Sequence, residues 1–208
     1  MTRTRGFTLL EVLVAIAIFA VVSAVAYGGL MQVLQTRDRV EAERAFWRGT
    51  ALMFRRMEED FAQVQTRKVR DVDGINMLPA FAGQPLDTRA LAPPSIEFTR
   101  GGVPVVGDGA RSDLQRVAYR LSEGRLTRLV WPALDRTADS KPQETVLMQE
   151  VEDFEVRFYS PAGQWLDAWP PRQQVGAPAV AQTPRGVEVS LRFKNGHAFS
   201  RVFLVGAG

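Results

Sequence analysis

The chain has 208 residues, 46% of them hydrophobic, with a formal net charge of +3, enough material for one membrane anchor and one globular domain. It contains no cysteine, which excludes disulfides, thiol catalysis and cysteine-based metal sites. The charge does not signal a nucleic-acid partner: without Arg3 and Arg5 it falls from +3 to +1, and the remaining bases are scattered among acids.

The first element is an apolar run from Phe7 to Leu30 whose only charged residue is Glu11. As a helix it would reach about 36 Å at 1.5 Å per residue, enough to cross a hydrocarbon core of about 30 Å. Residues 1–6 precede it as a short basic leader with Arg3 and Arg5 and no acid, a bias that keeps the leader cytoplasmic and sends the C-terminal mass across the membrane. The run is longer than the apolar region of a secretory signal peptide, and no small-x-small site ends it cleanly, Ser23-Ala24-Val25-Ala26 being a weak candidate. A carboxylate inside a spanning segment is costly, so Glu11 marks a functional position.

Gly6-Phe7-Thr8-Leu9-Leu10-Glu11 resembles the processing site of type IV pilins and type II secretion pseudopilins. The resemblance implies that a prepilin peptidase cuts between Gly6 and Phe7 and methylates the new amine of Phe7. It also places Glu11 early in the mature helix, where it can neutralise the N-terminal amine of a neighbouring subunit during assembly.

Beyond Leu30 the helical period continues. Phe46, Met53, Met57, Phe61 and Val64 are spaced by seven, four, four and three, an amphipathic stripe, and the pattern predicts one helix to about Thr66, about 90 Å in all. Gly28-Gly29 and Gly49 are its soft points. Met53, Met57 and Phe61 are expected to pack on the chain's own sheet. Val33, Leu34, Val40 and Phe46, nearer the membrane, are candidates for contact with partner helices. Arg37–Glu41 and Arg56–Asp60 are four apart and expected to pair on the surface. Glu58-Glu59-Asp60 is read as a solvated acidic face. The division that follows is a leader over 1–6, a transmembrane half-helix over 7–30, an amphipathic half over 31–66 and a β-rich head over 67–208.

Residues 67–94 lose all periodicity under Gly74, Pro79, Gly83, Pro85, Pro93 and Pro94, and read as a loop with at most a short edge strand near 68–72. The period then switches to two. Ile96 and Phe98 alternate with Glu97 and Thr99; 114–121 and 125–131 flank Ser122-Glu123-Gly124 as a hairpin; 145–149 is a short strand; Phe154, Val156 and Phe158 line one face of another. After Pro161-Ala162-Gly163 come Trp165 and Trp169, then a Pro/Gln/Ala-rich loop over 170–184. The last hairpin puts Val187, Val189, Leu191 and Phe193 on one face, turns at Asn195-Gly196 and returns over 198–205. One long helix followed only by strands is an α+β arrangement, a pilin-like helix on antiparallel sheet.

Catalytic and metal readings find little support. His197 follows the turn and has no second His or Cys to complete a zinc site. Gly107-Asp108-Gly109 lacks the strand–loop–helix setting of a phosphate cradle. Asp135, Asp139 and Ser140 are too sparse for a calcium loop. Trp165 and Trp169 read as core or loop anchors. No cofactor is expected.

The segments 96–102, 114–121, 134–142, 151–158 and Trp169-Pro170-Pro171 resemble the J-type minor pseudopilin of the type II secretion system, and the resemblance runs over 6–205. It implies a single-pass protein of the bacterial inner membrane with a periplasmic head. It implies I-type and K-type minor pseudopilins as partners at the fibre tip, with H-type and major pseudopilins, prepilin peptidase and the inner membrane as further contacts. Two alternatives stay open: a minor pilin of type IV pili or a DNA-uptake pseudopilus, and a membrane-tethered enzyme or binding protein.

Overall fold

The computed structural model describes residues 6, 8–71, 75–83, 95–102, 112–131, 133–134, 140–171 and 183–206. Among these residues one helix, α1 (Leu9–Ala62), precedes eleven strands: β1 (Val69–Arg70), β2 (Met77–Leu78), β3 (Phe81–Gly83), β4 (Ile96–Arg100), β5 (Gln115–Ser122), β6 (Arg125–Trp131), β7 (Gln143–Met148), β8 (Val151–Tyr159), β9 (Trp165–Leu166), β10 (Gly186–Phe193) and β11 (Ala198–Leu204). The chain divides into two compact units, residues 1–48 and 49–208.

The first unit is helical from Leu9 onward, and its apolar side chains are exposed from Leu9 to Val33 except Met31, which is half-buried. The helix passes through Gly28, Gly29 and Gly49 unbroken. It ends at Ala62 rather than near Thr66, because Gln63 and Val64 turn to meet the sheet: Gly101 N donates to Gln63 O, and Gln65 N to Thr99 O.

In the second unit every strand pairing is antiparallel. One sheet runs β3-β4-β5-β6-β7, the other β11-β10-β8-β9, and β1-β2 is a small separate ladder. The alternations read from sequence give the faces observed: Ile96, Phe98, Val187, Val189, Leu191 and Phe193 are all buried. The 67–94 stretch is more structured than a loop. It holds β1, β2 and β3, and Phe81 of β3 is fully buried, stacked on Phe98 with ring centroids 5.4 Å apart. These strands of two or three residues are too short to show a period.

The two sheets are stitched at Gly83 and Trp169, whose backbones exchange hydrogen bonds of 2.8 and 2.9 Å. Only glycine fits there, since a Cβ on Gly83 would lie 1.9 Å from Phe158 Cζ. The core sits where residues 49–62 of α1 cover both sheets. Phe61 contacts Phe98 (centroids 5.2 Å) of one sheet and Phe203 (5.3 Å) of the other, and Met53 and Met57 fill the space beside it. A ring in this position contributes several kcal/mol, about 3–5 by the usual cost of Phe→Ala in a core.

Candidate functional site

At the start of α1, Thr8 and Glu11 form a reciprocal cap. Glu11 N donates to Thr8 Oγ1 (3.3 Å), while Thr8 N (2.9 Å) and Thr8 Oγ1 (3.0 Å) donate to Glu11 Oε2. This S/T-x-x-E arrangement satisfies amides that the first helical turn leaves without partners, and it places a negative charge at the positive end of the helix dipole. Gly6 precedes it, exposed and without regular structure. Phe7 lies outside the described residues, as do Asp135, Asp139 and Gly107-Asp108-Gly109. Fifty-four residues carry α1 from this cap to Ala62, and its apolar first part is long enough to cross a membrane.

The proposed partner-facing side chains lie along the first unit. Val33, Leu34 and Val40 are exposed, and Phe46 is half-buried with its ring edge-on to Trp47 at 5.8 Å. Trp47, itself exposed, lies beside Phe46 and is not among the residues expected from the sequence pattern above. The seven-residue spacing Val33–Val40–Trp47 is a visible signal that would have found it.

The second unit holds a charged cluster that the sequence reading missed. The sequence pattern places Asp60 on a solvated acidic face, but its side chain is fully buried. Arg128 of β6 donates to it through Nε (2.6 Å to Oδ2) and Nη2 (2.9 Å to Oδ1); Arg100 of β4 also donates to Oδ1, and the Tyr119 hydroxyl of β5 donates to Oδ2 at 2.6 Å. The expected Arg56–Asp60 pair is therefore absent, and Arg56 pairs with Glu59 at 3.4 Å. Arg37–Glu41 does form, at 2.9 Å. Glu58 and Glu59 stay on the surface, so the correction concerns Asp60 alone. Burial, reinforced by the Asp60 charge and hydrogen bond, pushes the Tyr119 phenol well above its ordinary range. Burial opposes the Arg128 charge, but the hydrogen bond and charge of Asp60 outweigh it and raise that guanidinium further. One carboxylate thus ties the last turn of α1 to three adjacent strands. Arg116, fully buried, donates to Glu97 (2.8 Å), Pro79 O (2.8 Å) and Ala80 O (3.1 Å), fixing the turn before β3.

These groups are consumed by structural partners, and among the described residues no three His, Asp or Glu side chains converge to hold a metal. His197 is half-exposed against Phe199. Trp169 is buried at the sheet junction; Trp165 is on the surface, its ring tilted against Tyr159 (centroids 5.1 Å) and the Arg157 guanidinium 5.8 Å from it.

Comparison with known proteins resolves what this architecture is. Residues 28–205 match the family model described as type II secretion system (T2SS), protein J, and residues 1–27 match the prokaryotic N-terminal methylation motif. The chain belongs to the type II secretion system protein J family. Type II secretion system protein J of Klebsiella pneumoniae is 32% identical over 210 residues, covering 99% of this chain and 97% of the relative. Its counterpart in Vibrio cholerae serotype O1 is 33% identical over 216 residues, covering 98% and 88%. Among solved structures, a chain of the GspK-GspI-GspJ complex of enterotoxigenic Escherichia coli superposes with a TM-score of 0.62 at 26% identity, covering 78% of this chain and 98% of that one. Protein J family membership accounts for a long apolar helix ahead of an antiparallel β head.

Proposed function

We propose that this minor pseudopilin of the type II secretion system works by noncovalent assembly, joining I-type and K-type subunits in the tip complex that starts the pseudopilus. The observation that carries the reading is the joining, in one chain, of an N-terminal methylation motif to a head of the protein J family. The similar solved structure is itself a complex of GspK, GspI and GspJ. In this reading prepilin peptidase cuts between Gly6 and Phe7 and methylates Phe7. Glu11, held in the first turn of α1, exchanges its bonds to Thr8 for the N-terminal amine of a neighbour, which removes two opposite charges from lipid together. Val33, Leu34, Val40, Phe46 and Trp47 face partner helices. Residues 1–6 are the leader, 7–30 the membrane part of the N-terminal segment, 31–62 the periplasmic half of the helix, which ends at Ala62 and not at 66, and the rest to 208 a periplasmic head with no catalytic role.

Mass spectrometry of the protein purified from its host membranes tests the processing step. The expected first residue is N-methyl-Phe7. An intact Met1, or a terminus near Ala26, refutes the reading. Glu11→Ala is expected to leave cleavage in place while the tip complex no longer co-purifies and secretion falls. Co-purification with type IV pilus components in place of I- and K-type subunits would favour the minor-pilin alternative.

A further inference from the structure

Among the described residues two long strand edges stay open, and they are protected differently. β11 carries Arg201 at its centre, 3.1 Å from Glu58 and with its guanidinium 5.4 Å from the Phe203 ring, the kind of edge charge that blocks pairing with another strand. β7 ends the five-stranded sheet, and among the described residues its backbone hydrogen bonds go to β6 alone. It contains no proline and no basic residue, and its one acid, Glu144, is folded back onto Arg120 at 3.0 Å. A register shift opposite Leu126 and Thr127 interrupts the ladder before Met148, so the regular open edge is 143–146.

Beside this edge runs a groove of about 350 Å³ between β7 and residues 49–59 of α1. Leu52, 66% exposed, and Val146, 47% exposed, give it an apolar lining. Arg55 and Arg56 stand on its rim and share a single carboxylate, Glu59, at 3.2 and 3.4 Å. Two guanidiniums on one carboxylate leave a positive excess beside an open row of backbone donors and acceptors. An occupant that satisfies all three features is an extended strand, apolar where it meets Leu52 and Val146 and acidic where it meets Arg55 and Arg56.

We propose that residues 143–146 of β7 accept such a strand from a partner subunit of the tip complex, extending the sheet across the subunit boundary. The inference rests on the assembly reading above and adds to it the mode of contact and the chemistry of the contacting segment.

The test is amide hydrogen exchange on the full chain, alone and co-purified with the I- and K-type subunits of its own secretion system. Amides of 143–146 are expected to exchange at least about tenfold more slowly in the complex than in the chain alone. Val146→Lys, Thr145→Lys and the double change Arg55→Glu/Arg56→Glu are expected to abolish that protection and weaken the complex about tenfold or more, with the melting curve of the chain alone unchanged. Thr145→Lys serves where Val146→Lys disturbs folding. An intact complex without protection at 143–146 overturns the proposal and leaves the assembly reading standing. Protection already present in the chain alone and rising with its concentration overturns it in favour of pairing between two copies. Failure of the complex to form overturns both readings.

Discussion

Asp60 shows how much one side chain can bind together. It is fully buried and answers Arg100, Arg128 and Tyr119 from three neighbouring strands. Removing it leaves two guanidiniums, each 12% exposed, without a counter-charge. Asp60→Ala should therefore cost about 3–5 kcal/mol, in the range for breaking a buried pair and far above a surface pair, as measured by urea unfolding followed through tryptophan fluorescence. The same cluster produces an alkaline limit. The Tyr119 phenol binds its proton more tightly in the folded state than in the unfolded chain, whose value is near 10. Its contribution is whole below pH 10 and is lost as pH rises through the raised folded value. Unfolding free energy of the wild type should decline above pH 10, and Tyr119→Phe, which keeps the ring and has no proton to lose, should show a flatter alkaline limb.

Elements differ in how they are specified. α1 combines an apolar run, a capping box and an amphipathic stripe, each legible alone, and the three agree along one helix. The β5–β6 hairpin is also local: Glu123 (φ 50°) and Gly124 (φ 72°) both lie in the left-handed region that a tight two-residue turn requires. Glutamate is a poor residue there, while asparagine tolerates that conformation. Glu123→Asn should stabilise the head by about 0.5–1 kcal/mol, seen as a higher midpoint in thermal unfolding at unchanged fold. The exposed Arg125–Glu123 pair that this change removes is worth little by comparison. β3 is the opposite case. Three residues carry no period, and the strand exists because β4 pairs with it and Trp169 bridges its end.

The head is held together by contacts that join its two sheets rather than by either sheet alone. Phe61 touches Phe98 and Tyr119 on one side and Phe203 on the other. Phe61→Ala should cost about 3–5 kcal/mol. Because both sheets share that ring and the Gly83–Trp169 stitch, they should unfold in one transition, so fluorescence and circular dichroism curves of the variant should coincide. Two transitions would show that the sheets are independent. At the same scale, the chain belongs to the protein J family, and the exposed apolar residues of α1 form a surface far larger than a monomeric protein in water usually presents.

Residue order alone determined the anchor, the methylation motif, the hairpins and the inward faces of the longer strands, because each rests on spacings within about twenty residues: a 3.6 period, a period of two, or a turn dipeptide. The wrong reading of Asp60 has a physical cause. A helical wheel places Glu58, Glu59 and Asp60 at different azimuths but cannot tell which azimuth faces arginines forty and sixty-eight residues away. Burial of that carboxylate, the strand nature of 81–83 and the glycine demanded at Gly83 were decided only by tertiary packing. Each depends on a partner distant in sequence, and the free energy of bringing that partner close belongs to the whole fold and to no single segment.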